Sequence, residues 1–205
     1  MFDLFNPVPD SFNEDKIDVS SRIPGLKYIP DFISTDEERQ LLSNINSNEW
    51  LTDLKRRVQH YGWKYDYKSR NIDYRMYLGQ LPEWASMVAK RLFECSLISE
   101  LADQVIVNEY MPGQGIANHV DCEPCFGDSI VSLSLGSTCI MNLINLSTKE
   151  KIELVLEPRS AIVIKDESRY NWSHGIPARL ADTINKQYIK RQIRLSMTFR
   201  KVIVR

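Results

Sequence analysis

The stretch Arg194-Leu195-Ser196-Met197-Thr198-Phe199-Arg200 alternates polar and apolar side chains with a period of two. A strand sends successive side chains to opposite faces, so Arg194, Ser196, Thr198 and Arg200 share one face and Leu195, Met197 and Phe199 the other. The apolar face covers a core. If the polar face also points inward, its two arginines are costly to bury unless anions meet them. A dicarboxylate lying between them satisfies both, because a guanidinium grips a carboxylate as a fork. The alternative is an edge strand with both arginines in water.

Similar signals flank this stretch. Val105-Ile106-Val107, Ser129–Leu135, Cys139–Ile144, Ile152–Leu156, Ala161–Ile164 and Ile193–Val204 are short, β-branched or alternating, and several are separated by Gly, Asn, Ser or Pro turns. Before residue 100 the period is helical. Ser34 and Glu37 form a capping-box pattern ahead of Leu41, Leu42 and Ile45, and a second helix is expected from Pro82 with Trp84, Met87, Val88, Leu92 and Cys95 on its buried side. Many strands with helices gathered ahead of them predict an α+β, mainly β fold: a jelly-roll core backed by N-terminal helices. Residues 1–22 read as an arm and 23–205 as one domain.

Composition sets the outer limits. Of 205 residues, 43% are hydrophobic and 26% charged, the profile of a globular chain rather than a disordered one. No run approaches the roughly 18 apolar residues of a membrane span, and the N-terminus lacks a basic segment followed by an apolar one. A cytoplasmic protein is expected, or a nuclear one in a eukaryote, and a monomer. The four cysteines are expected as reduced thiols. Cys122 and Cys125 form a C-x-x-C, but the further ligands of a zinc site are not nearby in sequence.

Charge is uneven. Residues 55–75 hold seven bases against Asp66 and Asp73, and residues 186–205 hold seven bases and no acid. Such regions are either a face for a polyanion or solvated loop charge.

Two of the three histidines sit in a suggestive arrangement. His119 and Asp121 at i and i+2 would lie on one face of a strand, and His174 follows 53 residues after Asp121. Two imidazoles and a carboxylate leave room on a metal for a bidentate co-substrate and O₂, which suits non-haem Fe(II). Zinc is a second reading, and a buried histidine bonded to a carboxylate a third.

The combination N-x-Y-x-P-G-x-G-I-x-x-H-x-D at 108–121, S-L-S-L-G at 132–136, S-R-Y-x-W-x-H-G-I at 168–176 and R-x-S-x-T-F-R at 194–200 resembles the AlkB family of 2-oxoglutarate dioxygenases. The resemblance runs from about Ile23 to the C-terminus. It implies a double-stranded β-helix that uses Fe(II), 2-oxoglutarate and O₂, with His119, Asp121 and His174 as iron ligands. It also implies that Arg194, with Tyr110 and Ser196, takes the distal carboxylate of 2-oxoglutarate, and that Arg200 and Asn108 attend the chelating end. In the family Ser196 is often an Asn.

By the same resemblance, residues 55–77 occupy the place of a nucleotide-recognition lid, with Arg56, Tyr61, Trp63 and Glu123 as substrate contacts. Its aromatic residues interleaved with bases suit an unpaired base and its phosphates. The first expectation is oxidative demethylation of alkylated bases in single-stranded DNA or RNA. Hydroxylation of a modified tRNA nucleoside, or of a protein side chain, is the alternative. A binding module without catalysis fits poorly, because the ligands and arginines are all present.

Overall fold

Leu195, Met197 and Phe199 are buried on one side of their strand, and Arg194, Ser196 and Thr198 are buried on the other, so both faces of that strand are covered. The computed structural model describes residues 19–52 and 54–204. Most of the arm expected over 1–22 lies outside them; its last part, Val19–Arg22, is a 3-10 turn.

In chain order the elements are β1 (Leu26–Ile29), α1 (Thr35–Asn46), β2 (Val58–Tyr61), α2 (Glu83–Glu94), β3 (Gln104–Tyr110), β4 (Ile116–His119), β5 (Phe126–Gly136) and β6 (Cys139–Asn145). There follow β7 (Lys151–Leu156), β8 (Ala161–Ile164), α3 (Asp166–Tyr170), β9 (Trp172–Ile176), β10 (Ala181–Ile184), β11 (Gln187–Lys190) and β12 (Arg194–Val202). Six strands form one antiparallel sheet in the order β1-β8-β5-β12-β3-β2, and four form a second, β4-β9-β6-β7. β10 and β11 make a separate hairpin.

Register assigns the faces. Ser196 pairs with Asn108 on β3 and Ser134 on β5, while Met197 pairs with Val107 and Leu133. The Met197 row joins Leu41, Ile45, Val88 and Leu92 from α1 and α2 in one core, and the small sheet packs a second core with Ile130, Ile162 and Ile164. Each such Leu, Ile or Phe contributes roughly 1.5–3 kcal/mol by leaving water. This is the α+β, mainly β jelly roll backed by helices that the sequence implies.

The capping box is present: Glu37 N donates to Ser34 Oγ at 3.2 Å and Ser34 N to Glu37 Oε2 at 2.7 Å. On α2 the buried stripe is Ala85, Val88, Ala89 and Leu92. Cys95, expected inside, is exposed, because the helix ends one residue earlier and Cys95 is its C-cap.

The C-terminal basic run is only partly solvated: Lys186 and Lys190 are exposed, whereas other bases are held by the fold. Arg191 is buried against Asp182, with Nε 2.6 Å from Oδ2, Lys201 pairs with Asp103 at 2.8 Å, and Arg194 and Arg200 line an internal cavity. Among the described residues no helix is long and apolar enough to cross a membrane.

Candidate metal centre and its cavity

His119 on β4 and His174 on β9 are direct cross-strand partners, and their ring centroids are 4.5 Å apart. Gly175 makes this approach possible: a Cβ there would sit 2.8 Å from the Asn118 amide nitrogen, closer than packed atoms come. Asp121 does not share the strand as its spacing implied, because β4 ends at His119. Its position is fixed instead by Arg169, a fully buried guanidinium on α3. Arg169 Nη1 donates to the Asp121 carbonyl at 3.0 Å and Nη2 to the Cys122 carbonyl at 3.4 Å. Arg169 stands inside the S-R-Y-x-W-x-H-G-I motif, yet nothing in its local spacing marked it as the anchor of a segment 48 residues away.

The ligand atoms of His119, Asp121 and His174 all lie within 4.8 Å of one another. Arg200 holds one oxygen of Asp121, with Nε 2.9 Å and Nη2 2.7 Å from Oδ1. The other oxygen, Oδ2, is buried without a hydrogen-bond partner and faces His174 Nε2 at 3.5 Å. An orphaned carboxylate oxygen is costly to bury. A cation between it and the imidazoles removes that cost, so the donor set fits a metal.

Protonation states agree with this. Burial works to raise Asp121, but the charge of Arg200 beside it outweighs this and holds the carboxyl well below its ordinary range. Burial, against the pull of Asp121, pushes His174 down to about 4. Both groups are therefore in the forms that ligate metals at neutral pH.

The three residues lie in a cavity of about 400 Å³ between the two sheets. At its far wall Arg194, 3% exposed, donates Nη2 to Ser134 Oγ at 2.8 Å, while its Nε and Nη1 are buried without partners. Tyr110, the cross-strand partner of Arg194, lies beside it, 5.6 Å from ring centroid to guanidinium carbon. Two unsatisfied N–H groups on a buried cation suit a carboxylate. Asn108 accepts from Arg56 Nε at 2.7 Å.

The cavity's aromatic wall differs from the one expected. Tyr61 packs edge-on against Trp84 at 5.1 Å and bonds Gln59, and Trp63 stacks near Tyr77 at 4.8 Å; neither lines the cavity. Glu123 is exposed and also absent from the wall. Tyr65, Tyr67, Arg56 and Arg70 line it instead. Tyr61 falls on β2, whose pairing with β3 directs the ring toward α2, whereas Tyr65 and Tyr67 lie past the strand end and fold back over the site.

A second correction concerns the thiols. Cys122 and Cys125 are joined as a disulfide across the turn that follows Asp121, their Cα atoms 5.3 Å apart, so they are not the free pair that composition implied. Cys95 and Cys139 are free.

Comparison with known proteins agrees with this geometry. Residues 25–200 match the model of the 2OG-Fe(II) oxygenase superfamily. The chain is 37% identical, over 91% of its length, to the Arabidopsis thaliana protein named alkylated DNA repair protein ALKBH8 homolog. It is 36% identical, over 87% of its length, to mouse tRNA (carboxymethyluridine(34)-5-O)-methyltransferase ALKBH8. It spans 60% of the first relative and 30% of the second. The solved structure of OsALKBH1 superposes with a TM-score of 0.67 at 19% identity, covering 87% of this chain and 97% of that one, a likeness of fold. Triad, cavity and relatives converge, and the chain belongs to the AlkB family of the 2OG-Fe(II) oxygenase superfamily, as an oxygenase that uses Fe(II), 2-oxoglutarate and O₂.

Proposed function

We propose that this oxygenase acts on a modified base in single-stranded nucleic acid, and that a nucleoside of tRNA is its leading substrate. His119, Asp121 and His174 hold the iron. Arg194, with Tyr110 and Ser196, holds the distal carboxylate of 2-oxoglutarate. Bound iron, co-substrate and O₂ supply the oxidation of an unactivated C–H bond; the chain's own residues position the base and exclude water.

The observation that carries the reading is the charge of the cavity wall. Arg56 and Arg70 line it beside Tyr65 and Tyr67, and neither arginine has an ion pair among the described residues. The wall's carboxylate, Asp121, is already held by Arg200. Aromatic rings stack on an unpaired base, and guanidinium groups take phosphate or an acidic substituent. A positively charged alkylated base would meet like charge there and no spare carboxylate. Hydroxylation of a neutral or acid-bearing substituent therefore fits better than demethylation of a cationic base. The mouse relative's name, which specifies a carboxymethyluridine of tRNA, supports the same choice.

Oxidative demethylation of alkylated bases in DNA or RNA is the second reading, supported by the name of the Arabidopsis relative. Nucleoside mass spectrometry separates the two. After incubation with Fe(II), 2-oxoglutarate and ascorbate, total tRNA is expected to yield a nucleoside that has gained one oxygen. Formaldehyde and unmethylated bases from methylated oligonucleotides, with tRNA unchanged, would establish the second reading. No change in either substrate would reject both.

A further inference from the structure

We propose that Cys122 and Cys125 form a thiol–disulfide latch on the metal-binding carboxylate. The pair closes the turn that begins one residue after Asp121, and both sulfurs are buried. The turn is held at several points. Arg169 takes the carbonyls of Asp121 and Cys122, Cys125 N and Phe126 N both donate to the Cys122 carbonyl at 3.2 Å, and Ile203 N donates to the Cys125 carbonyl at 2.9 Å. With the disulfide in place, Asp121 is carried by a short closed loop with few ways to move.

The surroundings also accommodate the reduced pair, which distinguishes a latch from a permanent staple. The Arg70 carbonyl oxygen lies 3.3 Å from each sulfur. A disulfide has no hydrogen to give it. Two thiols do, and one carbonyl oxygen can accept both. Reduction therefore replaces a covalent closure with two weak hydrogen bonds, without burying an unmet donor. Arg70 also lines the cavity, has a backbone φ of +51°, and reaches the Val120 carbonyl with Nη2 at 3.5 Å. The pair thus joins the metal carboxylate on one side to a cavity arginine on the other.

Access suits the chemistry. Cys122 lines the cavity, so a small oxidant or dithiol would approach the pair from that side. In the oxidising direction one thiol sulfur attacks a peroxide oxygen, giving a sulfenic acid and water. The second thiol displaces the sulfenic oxygen as a second water and forms the S–S bond, so hydrogen peroxide gains the two electrons the sulfurs lose. In the reducing direction an external dithiol is oxidised to its own disulfide and returns both protons. The expected consequence is tighter metal binding in the oxidised form, since groups that orient a ligand typically change affinity by about 10–100-fold.

The test needs no nucleic acid, so its outcome is independent of the substrate reading. The full chain is prepared in two states, one treated with dithiothreitol and one with stoichiometric hydrogen peroxide, and each is freed of the reagent. Iodoacetamide labelling in denaturant, with intact mass, then counts thiols: two are expected in the oxidised chain, Cys95 and Cys139, and all four in the reduced one. Mn(II) affinity of each state is measured by electron paramagnetic resonance. About a tenfold weaker affinity after reduction is expected. The Cys122→Ser/Cys125→Ser double variant should bind like the reduced chain and ignore both reagents. Equal Mn(II) affinity of the two wild-type states, with the thiol counts as stated, would overturn the proposal even if the variant does not fold. Four labelled thiols after peroxide would overturn it as well.

Discussion

Arg200 binds Asp121 through Oδ1 alone, at 2.9 Å from Nε and 2.7 Å from Nη2, and so leaves Oδ2 turned toward His174. One guanidinium thereby selects which oxygen is offered to the metal and keeps the carboxyl ionised. Its strand places it there: Arg200 sits on the cavity face of β12, at the register position opposite Gln104 and Ile130.

Replacing Arg200 with Met should therefore weaken metal binding more than it weakens folding. The loss expected for an outer partner of a ligand is about 10–100-fold in Mn(II) affinity. Unchanged affinity in a folded Arg200→Met protein would show that Asp121 needs no such partner.

Arg194 is expected to act on the co-substrate alone. Its free N–H groups lie in the far wall of the cavity, with Ser134 and Tyr110 as neighbours. A charge-assisted hydrogen bond contributes about 1.5–3 kcal/mol, so Arg194→Ala should raise the 2-oxoglutarate Kd by roughly 10–100-fold. Mn(II) affinity should not move. Calorimetric titration with each ligand checks both halves, and a fall in metal affinity alone would place the residue elsewhere.

Tyr67 and Tyr61 should part company. Tyr67 lines the cavity, and its removal should cost oligonucleotide binding about 1–3 kcal/mol, the usual worth of one stacked base. Tyr61 is wedged against Trp84, and its loss should lower the unfolding midpoint while leaving binding in place. The opposite pattern would return Tyr61 to the substrate surface.

That contrast marks how far the sequence could be read. The period-two run at 194–200 fixes which residues face the cavity, because a strand leaves no freedom in the matter. The triad was legible for a related reason: few histidines are available, and His119 and His174 lie near or on strands that must meet. The segment 55–77 was not legible in detail. Residues 62–77 have little regular pairing, so nothing periodic says which of several tyrosines turns inward. Arg169 was hidden differently, since its role depends on a backbone carbonyl far away in the chain. The disulfide at Cys122 and Cys125 depends on a turn geometry that composition cannot supply.

The metal-free protein should lose stability on mild acidification. Burial, against the opposing pull of Asp121, pushes His174 down to about 4 in the folded chain. An unfolded imidazole titrates near about 6.5. Between these values the unfolded chain binds a proton that the folded one refuses, so stability rises with pH across the window and is fully present above it. The span amounts to on the order of 3 kcal/mol. Asp121, held low by Arg200 despite its burial, adds a further loss at lower pH with the same sign. Urea unfolding at several pH values should show the decline, and His174→Gln should flatten it. A midpoint that stays level in the wild type from neutrality to about pH 4 would refute the assignment of a buried, neutral His174.

The most direct measurement is succinate formation from 2-oxoglutarate with Fe(II), O₂ and ascorbate, with wild type beside His119→Ala, Asp121→Ala and His174→Ala, each first shown to be folded by circular dichroism. Wild type is expected to form succinate and the three variants none above the protein-free rate. An Asp121→Ala protein that turns over 2-oxoglutarate as fast as wild type at saturating iron would contradict the metal centre described above.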